Sequence, residues 1–153
     1  ESFEDNALIK ARAGFEDSGL PTIADDSGIS VDALGGEPGI HSARYHPSGD
    51  DRENLNLLLE RMAGIDDRRA EFVCVAALVD YQGEVAIERR WSGELATAPR
   101  GSAGFGYDPI FVPEGSDQTA AEWDPARKNE LSHRAQAFQA LAKTLKERYR
   151  PAS

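Results

Sequence analysis

The sequence predicts one α/β domain on three observations. Apolar stripes at helical spacing stand near both ends of the chain, within residues 2–18 and 132–149. Short apolar or alternating runs of strand type lie between them. From Ala70 to Val79 both alternate sets are apolar, Phe72, Cys74, Ala76 and Leu78 on one side and Val73, Val75, Ala77 and Val79 on the other. Periods of 3.6 and 2 mark helix and strand, and a run apolar on both sides is that of a central strand covered on both faces. At 153 residues the chain suits a single domain and can bury one sizeable core.

The first helix is predicted over residues 2–18. Ser2 is a good N-cap with Asp5 three residues on, Phe3, Ala7, Leu8, Ala11 and Phe15 make the stripe, and Gly19 ends it. Lys10 leaves from the edge of that stripe. It is either a lysine snorkelling at the rim of the core or a cation beside the acids of the next segment.

That segment, Pro21 to Gly36, carries the chemistry of the chain. Thr22 to Ala24 and Ile29 to Ala33 read as strands, with Asp25, Asp26, Ser27 and Gly28 as turn formers between them. Two adjacent carboxylates at a strand end either close a loop through backbone bonds or serve a cleft. Neighbours in a strand point to opposite faces, so one of the two aims into a given cleft unless the turn twists both inward, and Asp26, next to Ser27 and Gly28, is the candidate.

The loop Glu37 to Tyr45, where Pro38 and Gly39 follow Gly35-Gly36, predicts no regular structure. Asp50 with Glu53 caps a second helix whose Leu55, Leu58, Leu59 and Met62 form a scaffold face up to Gly64. After the central strand, Gln82-Gly83 turns into Glu84 to Trp91, a hairpin partner with Val85, Ile87 and Trp91 on one face. Arg89 breaks that alternation. Cys74 reads as a small buried hydrophobe.

Pro99 to Pro109 interleaves glycines with Phe105, Tyr107 and Asp108, a loop able to bring backbone and rings to a flat ligand or to tuck its aromatics into the core. Ile110 to Val112 reads as a short strand, Thr119 to Trp123 as a capping box, and Pro125 as a break before a last helix from about Ser132 to Tyr149. Arg127, Lys128, His133 and Arg134 gather at the start of that helix, where the dipole already disfavours cations. Helix stability does not account for them; an anion or acceptor site does, with a solvated basic patch as the alternative.

Composition sets the boundaries. Formal net charge is −10 with pI about 4.7, a field that repels nucleic acid and leaves a small phosphorylated substrate possible where local cations and a metal offset its charge. The longest apolar run is far short of a membrane span. One cysteine excludes an intrachain disulfide and points to a reducing, cytoplasmic setting.

Taken together, the run Phe3 to Arg12 (Phe-Glu-Asp-Asn-Ala-Leu-Ile-Lys-Ala-Arg), Ile23 to Gly28, Leu34 to Gly39, Gly104-Phe105-Gly106-Tyr107-Asp108-Pro109 and Lys128 to Arg134 resemble the inosine/xanthosine triphosphate pyrophosphatase family, in order and across the whole chain. The resemblance implies an elongated α/β fold, a long mixed sheet flanked by helices, two lobes with a central cleft, and a homodimer. It implies Mg²⁺-dependent hydrolysis of ITP, dITP and XTP to the monophosphate and pyrophosphate, a cleaning of the nucleotide pool. Asp26 is then the metal ligand and the base that activates water, with Asp25 supporting it. Lys10 pairs with the phosphates, Ser27 touches the substrate, and Phe105, Gly106, Tyr107, Asp108, Lys128, His133 and Arg134 hold the base.

One departure qualifies this. Members of that family start with a strand and a Thr/Ser-x-Asn-x-x-Lys phosphate loop followed by an acidic metal ligand, and residues 1–153 contain none of these. The expectation is a single domain over residues 1–153 lacking the family's N-terminal βα unit, a fragment or an ordered part that is poorly active by itself. A purine-nucleotide-binding module without turnover is the alternative. A P-loop NTPase or a haloacid-dehalogenase phosphatase is disfavoured, since neither Gly-x-x-x-x-Gly-Lys-Ser/Thr nor Asp-x-Asp occurs.

Overall fold

The first helix, α1 (Phe3–Ser18), begins where Ser2 accepts a hydrogen bond from the Asp5 amide at 3.1 Å. It ends at Gly19, whose φ of 68° lets its N–H return to Phe15 O. The computed structural model describes residues 2–149. After α1 come β1 (Thr22–Val31), two 3-10 turns (Asp32–Leu34 and Gly39–Arg44), α2 (Asp51–Arg61), β2 (Arg69–Asp80), β3 (Gly83–Leu95), β4 (Phe111–Pro113), α3 (Pro125–Leu131) and α4 (His133–Arg148).

The four strands form one sheet in the order β1-β2-β3-β4. β2 is central because both of its faces are apolar. Val75, Ala77 and Val79 pack under Ala7 and Ala11 of α1, while Cys74, Ala76 and Leu78 pack under Ala137 and Leu141 of α4. The result is a helix-sheet-helix sandwich. At the other end of the strands a larger cluster gathers Ile29, Val31, Leu55, Leu58, Phe72, Trp91 and Phe111 around α2 and β4. These are two lobes on one sheet, and they meet near Ser27 and Phe72. No helix among the described residues is long and apolar enough to cross a membrane.

The α/β class is as expected, and four local expectations are corrected. β1 runs unbroken through Asp25, Asp26, Ser27 and Gly28, because each pairs in register with β2, from Asp25 opposite Ala76 to Gly28 opposite Val73; tertiary pairing overrides the turn preference of these residues. Every strand pair among the described residues is antiparallel, so the mixed character expected of the sheet is not present in this part. Pro125 opens α3 instead of only breaking the chain, with Asp124 as its N-cap, since proline at the first helical position gives up an N–H that has no partner anyway. The loop after Gly36 contains the 3-10 turn Gly39–Arg44, held against β1 by Ser42, whose hydroxyl accepts from Ile29 N at 2.9 Å and donates to Gly39 O at 2.6 Å.

Candidate active site

A cavity of about 340 Å³ opens where the lobes meet, between β1, the Gly104–Pro109 loop and the junction of α3 with α4. Ser132 makes that junction. It ends α3 and caps α4 by accepting from the Ala135 amide at 3.2 Å, which places Lys128, His133 and Arg134 on one wall. Phe105, Gly106, Tyr107 and Asp108 form the opposite wall, with Ser27 and Gly28 of β1 between. A larger groove of about 490 Å³ lies at the far end of β2 and β3 among Asp32, Arg69 and Glu94 and contains none of the candidate residues.

The cavity walls are fixed by buried polar contacts. Asp108 is 3% exposed, pairs with the Lys128 ammonium and accepts from Phe105 N at 3.0 Å. Lys128 Nζ in turn lies 4.6 Å from the centre of the Phe105 ring, which is largely exposed. The Tyr107 hydroxyl donates to Ser42 O at 2.7 Å, and burial drives its pKa up from the ordinary tyrosine value. The His133 ring lies flat on Phe72, with centroids 4.8 Å apart and planes at 9°. Burial, then the cations Lys128 and Arg134, push its pKa down to about 3, so the imidazole is neutral at physiological pH. Its Nδ1 is buried and has no hydrogen-bond partner among the described residues.

The acids sit along the outer strand β1. Asp26 lies opposite Val75, on the α1 face of the sheet. There its Oδ2 accepts from Asn6 Nδ2 at 3.1 Å and its Oδ1 is 3.5 Å from Lys10 Nζ. The Lys10 ammonium also donates to Asp25 O at 3.0 Å. Asp25 lies opposite Ala76, on the α4 face, with Oδ1 3.5 Å from Arg134 Nη2. The two faces therefore carry different partners.

Among the described residues no three His, Cys, Asp or Glu side chains converge as a metal cage. Asp26 offers a hard oxygen donor on a partly exposed edge. That suits Mg²⁺, which binds through one or two carboxylates, waters and substrate phosphates instead of an all-protein cage.

The cavity thus brings together Ser27, Phe105, Gly106, Tyr107, Asp108, Lys128, His133 and Arg134, and the α1 face brings together Asp26 and Lys10. Asp25 stands apart from the Asp26 cluster and joins the cavity through Arg134. Arg127 lies elsewhere, stacked over Trp123 at 3.9 Å. Sequence reasoning did not single out Asn6, whose one signal is its place one helical turn before Lys10. It also passed over Asp51, which accepts from Gly106 N at 3.3 Å, and Ser42, for which no local signal exists.

The sequence profile of the Ham1 family matches residues 1–144. A dITP/XTP pyrophosphatase of Mycobacterium tuberculosis is 50% identical over 148 residues, covering 95% of this chain and 72% of that protein. One from Leifsonia xyli is 51% identical over 154 residues, covering 98% of this chain and 77% of that protein. The solved structure of the Staphylococcus aureus Ham1 protein superposes with a TM-score of 0.93 at 39% identity, covering 97% of this chain and 78% of that one. The chain belongs to the Ham1 family.

Proposed function

We propose that this chain carries the active site of a hydrolase that converts non-canonical purine nucleoside triphosphates, ITP, dITP and XTP, to the monophosphate and pyrophosphate. Relatives at about half identity bear the name dITP/XTP pyrophosphatase. The observation that carries the reading is the continuity of β1: Ser27 lines the cavity of about 340 Å³, and the preceding residue, Asp26, stands with Lys10 on the strand's other face.

In this reading the base enters between the Phe105 loop and the α3-α4 junction. Hypoxanthine and xanthine present a 6-oxo acceptor where adenine presents an amino donor, and the cationic wall of Lys128 and Arg134 matches the acceptor. Water adds to the α-phosphorus, the α-β anhydride bond breaks, Asp26 takes the proton from the water, and Lys10 neutralises charge on the phosphates. Asp26 would hold Mg²⁺, which when bound would supply charge neutralisation and align phosphate oxygens. The proposal includes dependence on Mg²⁺, a homodimer, as the family resemblance implies, and a cytoplasmic setting, for which the single buried Cys74 is the support.

Release of pyrophosphate and orthophosphate from ITP tests this. Pyrophosphate is expected. Orthophosphate identifies a phosphatase, and no release with retained ITP binding identifies a nucleotide-binding module.

A further inference from the structure

We propose that Asn6 is a positioning residue for Asp26: its side-chain amide fixes the carboxylate's orientation so that the second oxygen stays turned toward the Lys10 side. This rests on the hydrolytic reading of the same site. The two oxygens of Asp26 have one donor each, Asn6 Nδ2 at 3.1 Å on Oδ2 and Lys10 Nζ at 3.5 Å from Oδ1. The donors differ in firmness. The Lys10 side chain is 55% exposed, its contact is long, and its ammonium is shared with Asp25 O. Asn6 is half-buried on a short side chain, next to Ala7, which is fully buried against the sheet along with Ala11. Those alanines pack on Val75, the residue directly opposite Asp26, so helix and strand hold the amide and the carboxylate at a set distance.

The chemistry of the amide suits this task. A carboxylate's terminal torsion is broad and does not orient itself. An asparagine amide must turn its NH₂ toward a carboxylate, since its own oxygen cannot donate. It therefore gives direction without charge. A lysine here would be drawn from Asp26 to the phosphates, and an aspartate would repel it. When Lys10 turns to a triphosphate, Asn6 is the contact that Asp26 keeps. A misplacement of about 1 Å at a reacting group can cost on the order of a hundredfold in rate.

The test compares Asn6→Leu, near in size and without a donor, with Asn6→Gln, which keeps the amide on a longer arm. Pyrophosphate release from ITP is expected to show kcat lowered roughly ten- to a hundredfold in Asn6→Leu, with KM within about twofold and an unchanged thermal midpoint, and partial recovery in Asn6→Gln. Crystal structures of the wild type and Asn6→Leu are expected to show the Asp26 carboxylate rotated, or in two orientations, in the variant. Wild-type kcat in Asn6→Leu, or one unchanged carboxylate orientation, overturns the proposal. A wild-type protein that releases no pyrophosphate defeats the hydrolytic reading instead, and the carboxylate orientation then decides the role of Asn6 alone.

Discussion

Asp25 and Asp26 are neighbours in the chain and face opposite sides of the sheet: Asp26 meets Asn6 and Lys10 beneath α1, and Asp25 meets Arg134 at the start of α4. The pleat of β1 alone produces this division, since successive side chains alternate. It gives the strand two kinds of work. One face presents an acid beside an ammonium, as hydrolysis needs, while the other holds the guanidinium of the cavity wall.

The two acids should therefore fail differently. Asp26→Asn keeps size and hydrogen-bonding capacity but removes the charge needed to accept a proton and hold a cation, so turnover of ITP should drop by at least about 10²- to 10³-fold with the fold retained. Circular dichroism and pyrophosphate release measure both. Near-normal activity in Asp26→Asn together with collapse in Asp25→Asn would reverse the assignment.

Arg134 should act on selectivity. Its guanidinium reaches the cavity and Asp25 at once. A hydrogen bond from a charged donor contributes about 1.5–3 kcal/mol, so Arg134→Ala should lower the preference for ITP over ATP, read as the ratio of kcat/KM, roughly ten- to a hundredfold. An unchanged ratio would remove Arg134 from base recognition.

Much of this was legible in the sequence because period is a strong signal. α1, β2 and β3 follow from apolar spacing, whereas the opposite aim of the two aspartates follows from the pleat only once β1 is known to run unbroken through them. What was not legible depends on distant partners. The stretch Asp25 to Gly28 has the composition of a turn, and only the ladder with β2 makes it strand. The cations before α4 looked like one cluster, yet the fold sends Arg127 to Trp123, Lys128 to Asp108 and Arg134 to Asp25, and it buries His133 as a neutral ring. Asn6 carries no periodic signal because a polar residue on a helix is ordinary until its partner is known.

Burial of His133 has a consequence for stability against pH. Its folded pKa, about 3, lies below the unfolded value near 6.5. Between those values the unfolded chain binds the extra proton, so stability from this group is complete above about pH 6.5 and declines as pH falls toward 3. The slope from one such proton is at most about 1.4 kcal/mol per pH unit. Urea midpoints measured between pH 7 and 5, above the range where most carboxylates titrate, should fall in the wild type and stay flatter in His133→Gln. Parallel slopes in both proteins would show that His133 is not the group responsible.

Gly28 should prove intolerant of even one methyl group. It belongs to β1, so the constraint comes from its neighbours and not from its backbone angles. A Cβ built there would stand 2.5 Å from Gly39 O and 2.6 Å from Ser42 Oγ. Ser42 also bonds Ile29 N, and its carbonyl receives the Tyr107 hydroxyl. Gly28→Ala must therefore push the Gly39–Arg44 turn off β1, straining the Ser42 bonds and moving Tyr107 in the cavity wall. Overpacking of this kind costs about 1–3 kcal/mol, which a lower urea midpoint would report. The same methyl would meet Phe3 Cε1 of α1 at 3.0 Å, on the face that carries Asp26, Asn6 and Lys10, so KM for ITP should rise and kcat should fall together. Wild-type stability and KM in Gly28→Ala would show that the turn yields freely and that the close approach at Gly28 does not shape the site.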